Sequence, residues 1–326
     1  MEPNHGRGLT RRKFWQAGIT AAAVGAIACG REDLPRGVRG KAAVAILRAA
    51  TYREDLLDRL WRGAEACGLE ARGKRVLIKP NLVECERGGV IHTQAEVLAA
   101  AVQLFEKLGA AEVRIGEGPG HRRDALFLAE EAGYRTAIPG FDGRFTDLNR
   151  DDVGRVARFA GEREIYLART ALAADLVVSV ARMKTHHWAG VTLSMKNLFG
   201  VVPGSLYGWP KNRLHQIGIA RSVAELYRIL PRTFGIIDGI VGMEGNGPIQ
   251  GRARECGVLV MGHDLAAVDA TACRVMGIDP ERIEYLQFVA ERGHVKERQI
   301  EQRGETIASV QTPFALMPQF QHVRLA

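Results

Sequence analysis

Asp175-Leu176-Val177-Val178-Ser179-Val180-Ala181 runs straight into Arg182-Met183-Lys184-Thr185-His186-His187-Trp188-Ala189-Gly190. The first seven residues are almost continuously apolar and rich in valine. So short a run reads as a strand buried on both faces. The second stretch is crowded with groups that carry charge or exchange protons. A buried strand that ends in polar residues is the pattern of a doubly wound α/β sheet, where ligands bind beyond the carboxyl ends of the strands.

The same alternation extends to both sides. Strands are expected at 42–47, Arg75–Lys79, 112–115, 234–237 and 257–261, and a hairpin at 155–167 with Gly161 near its turn. Helical spacing marks 52–67, 94–108, 124–132, 214–229, 266–275 and 283–292. Strands alternating with helices predict an α/β fold: a mainly parallel sheet with helices on both faces. With 326 residues and 46% hydrophobic content, the chain can bury one large core or two small lobes. The folded body is expected over 41–302, with a weakly patterned tail over 303–326.

The residues before the body read differently. Thr10-Arg11-Arg12-Lys13-Phe14 matches a twin-arginine export signal, and a weakly apolar Ala/Gly-rich segment follows it. The expectation is a signal over 1–29, a polar linker over 30–40, and a periplasmic location after passage through the twin-arginine machinery. Ala26-Ile27-Ala28-Cys29 resembles a lipoprotein cleavage box, which would attach the chain to a membrane through Cys29. Formal net charge is +8, of which Arg7, Arg11, Arg12 and Lys13 against Glu2 supply +3. The rest forms no basic run, so no nucleic-acid partner is expected. None of the five cysteines forms a C-x-x-C pair, so the spacing gives no zinc ribbon, redox dithiol or iron–sulfur cluster.

The chemistry gathers at strand ends. Beyond Gly190 the polar stretch continues Val191-Thr192-Leu193-Ser194-Met195-Lys196-Asn197-Leu198-Phe199-Gly200. In extended chain Lys184 and His186 share a face, and His187 points away. Thr192, Ser194 and Lys196 alternate with apolar neighbours, which suits a polar cavity better than a packed core. Lys79-Pro80-Asn81 ends another strand. Ile115-Gly116-Glu117-Gly118-Pro119-Gly120-His121 joins a strand to a helix; it is neither a dinucleotide fingerprint nor a Walker loop, yet it can present backbone N–H groups to an anion. His215 opens a helix, and Asp238-Gly239 leads into Gly242-Met243-Glu244-Gly245-Asn246-Gly247-Pro248. Lysine is scarce, nine against thirty-six arginines, and Lys79, Lys184, Lys196 and Lys211 all lie in or beside these segments. A site that needs a compact amine, able to lose its proton, does not accept arginine.

Taken together, Lys79-Pro80-Asn81, Gly118-Pro119-Gly120, Lys184-Thr185-His186-His187, Ser194 to Gly200, Asp238-Gly239-Ile240 and Glu244 to Pro248 resemble the bacterial and archaeal family called domain of unknown function 362. The resemblance spans about 76–277. Some members carry a ferredoxin-like module, whose cysteines this chain lacks. A fainter pattern is similar to the nickel-dependent lactate racemases: His186, Lys196 and His215 follow in the order of a metal-binding His, a cofactor-tethering Lys and a further His, and His121 resembles a catalytic His. The Gly-Gly-Lys context of that tether is Ser194-Met195-Lys196 here.

Two functions follow as expectations. The first is an exported enzyme that binds an anionic small molecule or cofactor, with or without a metal, for redox or isomerase chemistry. Lys184, His186, Lys196 and Glu244 are then the catalytic candidates. Lys79, Asn81, Gly118, Gly120, His121 and Asn197 would hold the ligand or cofactor. His186, His187, His215 and Asp238 are the candidate metal ligands. The second is a non-catalytic periplasmic binding protein that uses the same cluster for an anionic ligand.

Overall fold

A computed structural model describes residues 40–84, 89–120, 124–230, 232–291 and 293–325. The twin-arginine signal, Cys29, Cys85 and His121 lie outside the described residues. No helix among the described residues is long and apolar enough to cross a membrane.

The described strands are β1 (Ala42–Arg48), β2 (Arg75–Lys79), β3 (Glu112–Glu117), β4 (Phe145–Asp147), β5 (Val153–Phe159), β6 (Glu162–Ala168), β7 (Leu176–His186), β8 (Gly190–Thr192), β9 (Thr233–Glu244), β10 (Arg252–Gly262) and β11 (Ile300–Gly304). The large sheet has the order β11-β1-β10-β9-β7-β2-β3-β4, and β8 folds back on β7. The central ladders β9-β7-β2-β3-β4 are parallel, as is β1-β11; β10 runs against both its neighbours. The fold is therefore α/β with a mostly parallel sheet. β5 and β6 form the separate hairpin expected around Gly161.

Alternation along the strands explains the apolar runs. In β7, Val177, Ala181 and Met183 enter one core, while Leu176, Val178 and Val180 enter another. In β10, Val258 and Val260 divide from Leu259 and Met261 in the same way. The two cores are thus the two faces of one sheet. The helices Leu56–Ala66 and Ala95–Lys107 cover one face; Ile219–Ile229 and Leu265–Val275 cover the other.

Three boundaries differ from the sequence expectations. The strand expected at 175–181 runs on to His186, because β8 and β9 pair with its polar end. The helix expected at 214–229 breaks at Gly218, whose φ of +106° is open to glycine and closed to most residues. The limit placed at 302 falls inside β11, and Phe314 beyond it is fully buried.

One part-buried pair ties the ends of the body together. Asp264 caps the helix Leu265–Val275 by accepting from the Ala267 N–H. It also accepts from His294 Nδ1 at 2.6 Å, and His294 Nε2 donates to the Gly40 carbonyl at 3.2 Å. With an acceptor at each nitrogen, the Asp264 hydrogen bond foremost, the His294 pKa is raised above 6.5. A raised imidazolium stabilises the fold fully below its unfolded value, and that contribution is lost as pH rises through the folded value. Urea midpoints should therefore decline above about pH 6.5, and His294→Gln should flatten that decline. Equal slopes in both proteins would contradict the assignment.

Candidate active site

The chain reaches β2, steps outward to β3 and β4, and returns to β7 on the other side of β2. The helix between β2 and β3 covers one face, and the helix between β7 and β9 covers the opposite one. The order therefore reverses between β2 and β7, and a crevice opens there beyond the strand ends. Lys79 ends β2 beside this point, opposite Ser179 in register, and Glu117 ends β3.

Lys79 and Glu117 form a buried ion pair of 2.6 Å, each about 1% exposed. Lys79 also donates to Asn197 Oδ1 at 3.0 Å and to the Pro80 carbonyl. Glu117 accepts from the N–H groups of Leu82 and Gly118. Asn197 donates to the Lys79 carbonyl and the Ser179 hydroxyl, and accepts from Asn81 Nδ2. Gly200 packs against this pair so closely that a Cβ would collide with both Glu117 and Lys79. Gly118 presses against the Gly200 carbonyl in turn, so both positions need glycine for close approach. Gly120 faces open space. Asn81 Oδ1 has no partner among the described residues although it is buried.

A second pair lies one strand over. Arg182, opposite Asp238 in register, donates to it at 2.7 Å. Tyr52 donates to the other Asp238 oxygen at 3.0 Å, and the Gln94 N–H adds a further bond. Asp238 is completely buried and fully engaged, so it sits with Arg182 and not with the histidines. Glu244 is likewise committed elsewhere: it accepts from Arg252 at 2.8 Å and from the Ala315 N–H, and it holds the C-terminal segment to the end of β9. It does not supply the carboxylate expected beside Lys184.

The remaining amines have no carboxylate partner among the described residues. Lys184 is fully buried and donates to the Ile91 carbonyl at 2.9 Å. Burial, with the charges of Arg182 and Lys196, holds its pKa well below the lysine range. Lys211 is satisfied by Asn149 Oδ1 and the carbonyls of Phe199 and Val202, and burial pushes it down to about 7. Lys196 is only part-buried, and its Nζ sits 3.9 Å over the Phe199 ring. Burial, then the charge of Lys79, pulls it down to about 8. Lys79 and Lys196 each act electrostatically on Lys184 and on Lys211, and Lys79 acts on Lys196, which makes the four one cluster.

The histidines line its edge. His186 Nδ1 accepts from the N–H groups of Trp188 and Ala189, so its proton sits on Nε2. Burial and the Lys196 charge keep it neutral, with a pKa well below 6.5. His187 Nδ1 lies 2.7 Å from the Gly247 carbonyl and His215 Nδ1 3.3 Å from the Lys211 carbonyl, so each donates from Nδ1. No group of three or more His, Cys, Asp or Glu among the described residues is arranged to hold a metal. His186 carries its proton on Nε2 and Asp238 is engaged by Arg182 and Tyr52, so these residues do not fit a resident metal.

Sequence reasoning passed over four contributors. Glu117 was visible as a lone charge at a buried strand end, and Arg182 as the first charge after an apolar run. His92, whose pKa burial lowers to about 4, and Tyr52 come from loops with no local signal.

Comparison with known proteins places these residues in a family. The sequence model of the domain of unknown function 362 matches residues 76–274. A thylakoid-associated protein of Synechocystis is 30% identical over 258 residues, covering 74% of this chain and 76% of that protein. Among solved structures, the lactate racemase apoprotein of Thermoanaerobacterium thermosaccharolyticum aligns with a TM-score of 0.43 at 15% identity, over 78% of this chain. This chain spans 58% of that racemase's length.

Proposed function

The chain belongs to the family described as domain of unknown function 362, and from that premise we propose that it is an exported enzyme that binds a small anionic molecule on its lysine cluster and moves a proton on it. One observation carries the reading: the charges at the strand ends do not balance. Glu117 and Asp238 are already neutralised by Lys79 and Arg182. Lys184, Lys196 and Lys211 then stand without a carboxylate among the described residues, in a site that disfavours their charge. An anionic ligand supplies the missing charge.

Lys196 is the amine that receives it. Lys211 has three oxygen acceptors and Lys184 a carbonyl, whereas the partner of Lys196 is a ring face. An amine near pKa 8 exchanges protons readily around neutral pH. His186, which feels the Lys196 charge, adds an Nε2–H donor. Proton transfer of the kind an isomerase uses suits this pair. Export rests on the Thr10–Phe14 pattern.

The test uses chain recovered by cell fractionation and titrated with sulfate and acetate. Recovery from the periplasm, with binding that weakens as pH rises through about 8, is the expected result. Recovery only from the cytoplasm removes export from the reading. Binding of neither anion removes the ligand class.

A further inference from the structure

Trp188 is 61% exposed, yet it is not loosely held. Its own N–H and that of Ala189 both donate to His186 Nδ1. The preceding residue, His187, is fixed by two hydrogen bonds to the Gly247 carbonyl, from its N–H and from Nδ1. Gln319 donates to the His187 carbonyl at 3.2 Å. Its indole rests edge-on against two imidazoles and leaves most of its surface in water, where a ligand ring can stack on it.

The rings beneath it form a continuous wall. Trp188 meets His187 edge-on at 4.5 Å and His215 edge-on at 5.7 Å. His215 meets Phe199 at 6.2 Å, and Phe199 carries the Lys196 amine on its face. The wall therefore runs from an exposed indole to the one amine of the cluster without an oxygen partner. A planar ring stacks on such a surface with less ordering cost, because the backbone that carries the indole is already held by hydrogen bonds.

We infer that the ligand of this site is an aromatic anion, its ring lying along the Trp188–His215–Phe199 wall and its charged group directed to Lys196. The inference rests on the anion-binding reading above and narrows it to a substrate class. Trp188 then sets specificity, while Lys196 supplies the charge.

Matched probes test it: benzoate against acetate, and benzenesulfonate against methanesulfonate, by calorimetry on the full chain. The aryl member of each pair should bind about tenfold tighter. Trp188→Ala should remove that advantage and leave acetate and methanesulfonate binding unchanged, and Trp188→Phe should restore most of it. Equal affinity within each pair overturns the inference, as does a Trp188→Ala variant that weakens all four probes alike. Binding of none of the four overturns the anion reading and this inference together, which separates the two failures.

Discussion

Glu117→Ala should cost the folded state about 3–5 kcal/mol, the loss expected when one partner of a buried ion pair is removed. Lys79 would be left charged and nearly without water, with Asn197 and a carbonyl as its remaining partners. The N–H groups of Leu82 and Gly118 would lose their acceptor as well. Such unmet donors cost roughly 1–3 kcal/mol each when they stay buried. A void alone would behave differently, because it would not depend on Lys79. The double variant Lys79→Met/Glu117→Leu should therefore recover much of the loss, since it removes the stranded charge. Denaturant midpoints at unchanged slope measure both effects. A Glu117→Ala protein as stable as the parent would mean that water reaches the pair.

Lys196→Met should have the largest effect on binding with little effect on the fold. A hydrogen bond from a charged donor contributes about 1.5–3 kcal/mol, so sulfate should bind roughly 10- to 150-fold more weakly. Stability at neutral pH should rise slightly. The amine pKa is depressed to about 8, so its charge is a burden on the folded state below that pH and is relieved as pH rises towards the unfolded value of 10.5. Methionine removes the burden and keeps most of the apolar stem against Phe199. Lys211→Met is the contrast. It leaves the Val202 carbonyl without its amine donor, while Asn149 Oδ1 keeps the Gly204 N–H and the Phe199 carbonyl keeps the Val202 N–H, and its effect on sulfate should be the smaller one.

Much of this arrangement was legible in the sequence for simple reasons. β7 could be read because both its faces are apolar, and the sheet class followed from strands alternating with helices. Lys79, Asn81 and Asn197 were read as one site from their places after strands, and they share a hydrogen-bond network. The partners were harder to read. Asp238 was expected beside the histidines because it ends an apolar run, but β9 continues past it and the register sets it opposite Arg182. Glu244 sits in a glycine-rich segment that looks like a ligand loop, yet it is Arg252 at the start of β10 and the distant Ala315 that claim it. Pairings of that kind depend on register and on chain far away in sequence, and no local pattern encodes them.

The claim at the centre is that Lys196, its pKa pulled down to about 8, is only part-protonated near that pH until an anion arrives. Calorimetric titration with sulfate near pH 8, in two buffers of different ionisation enthalpy, measures it directly, because sulfate itself does not titrate there. Binding should take up protons in the parent chain, and the uptake should shrink sharply in Lys196→Met. Binding without proton uptake, or equal uptake in both proteins, would contradict the account.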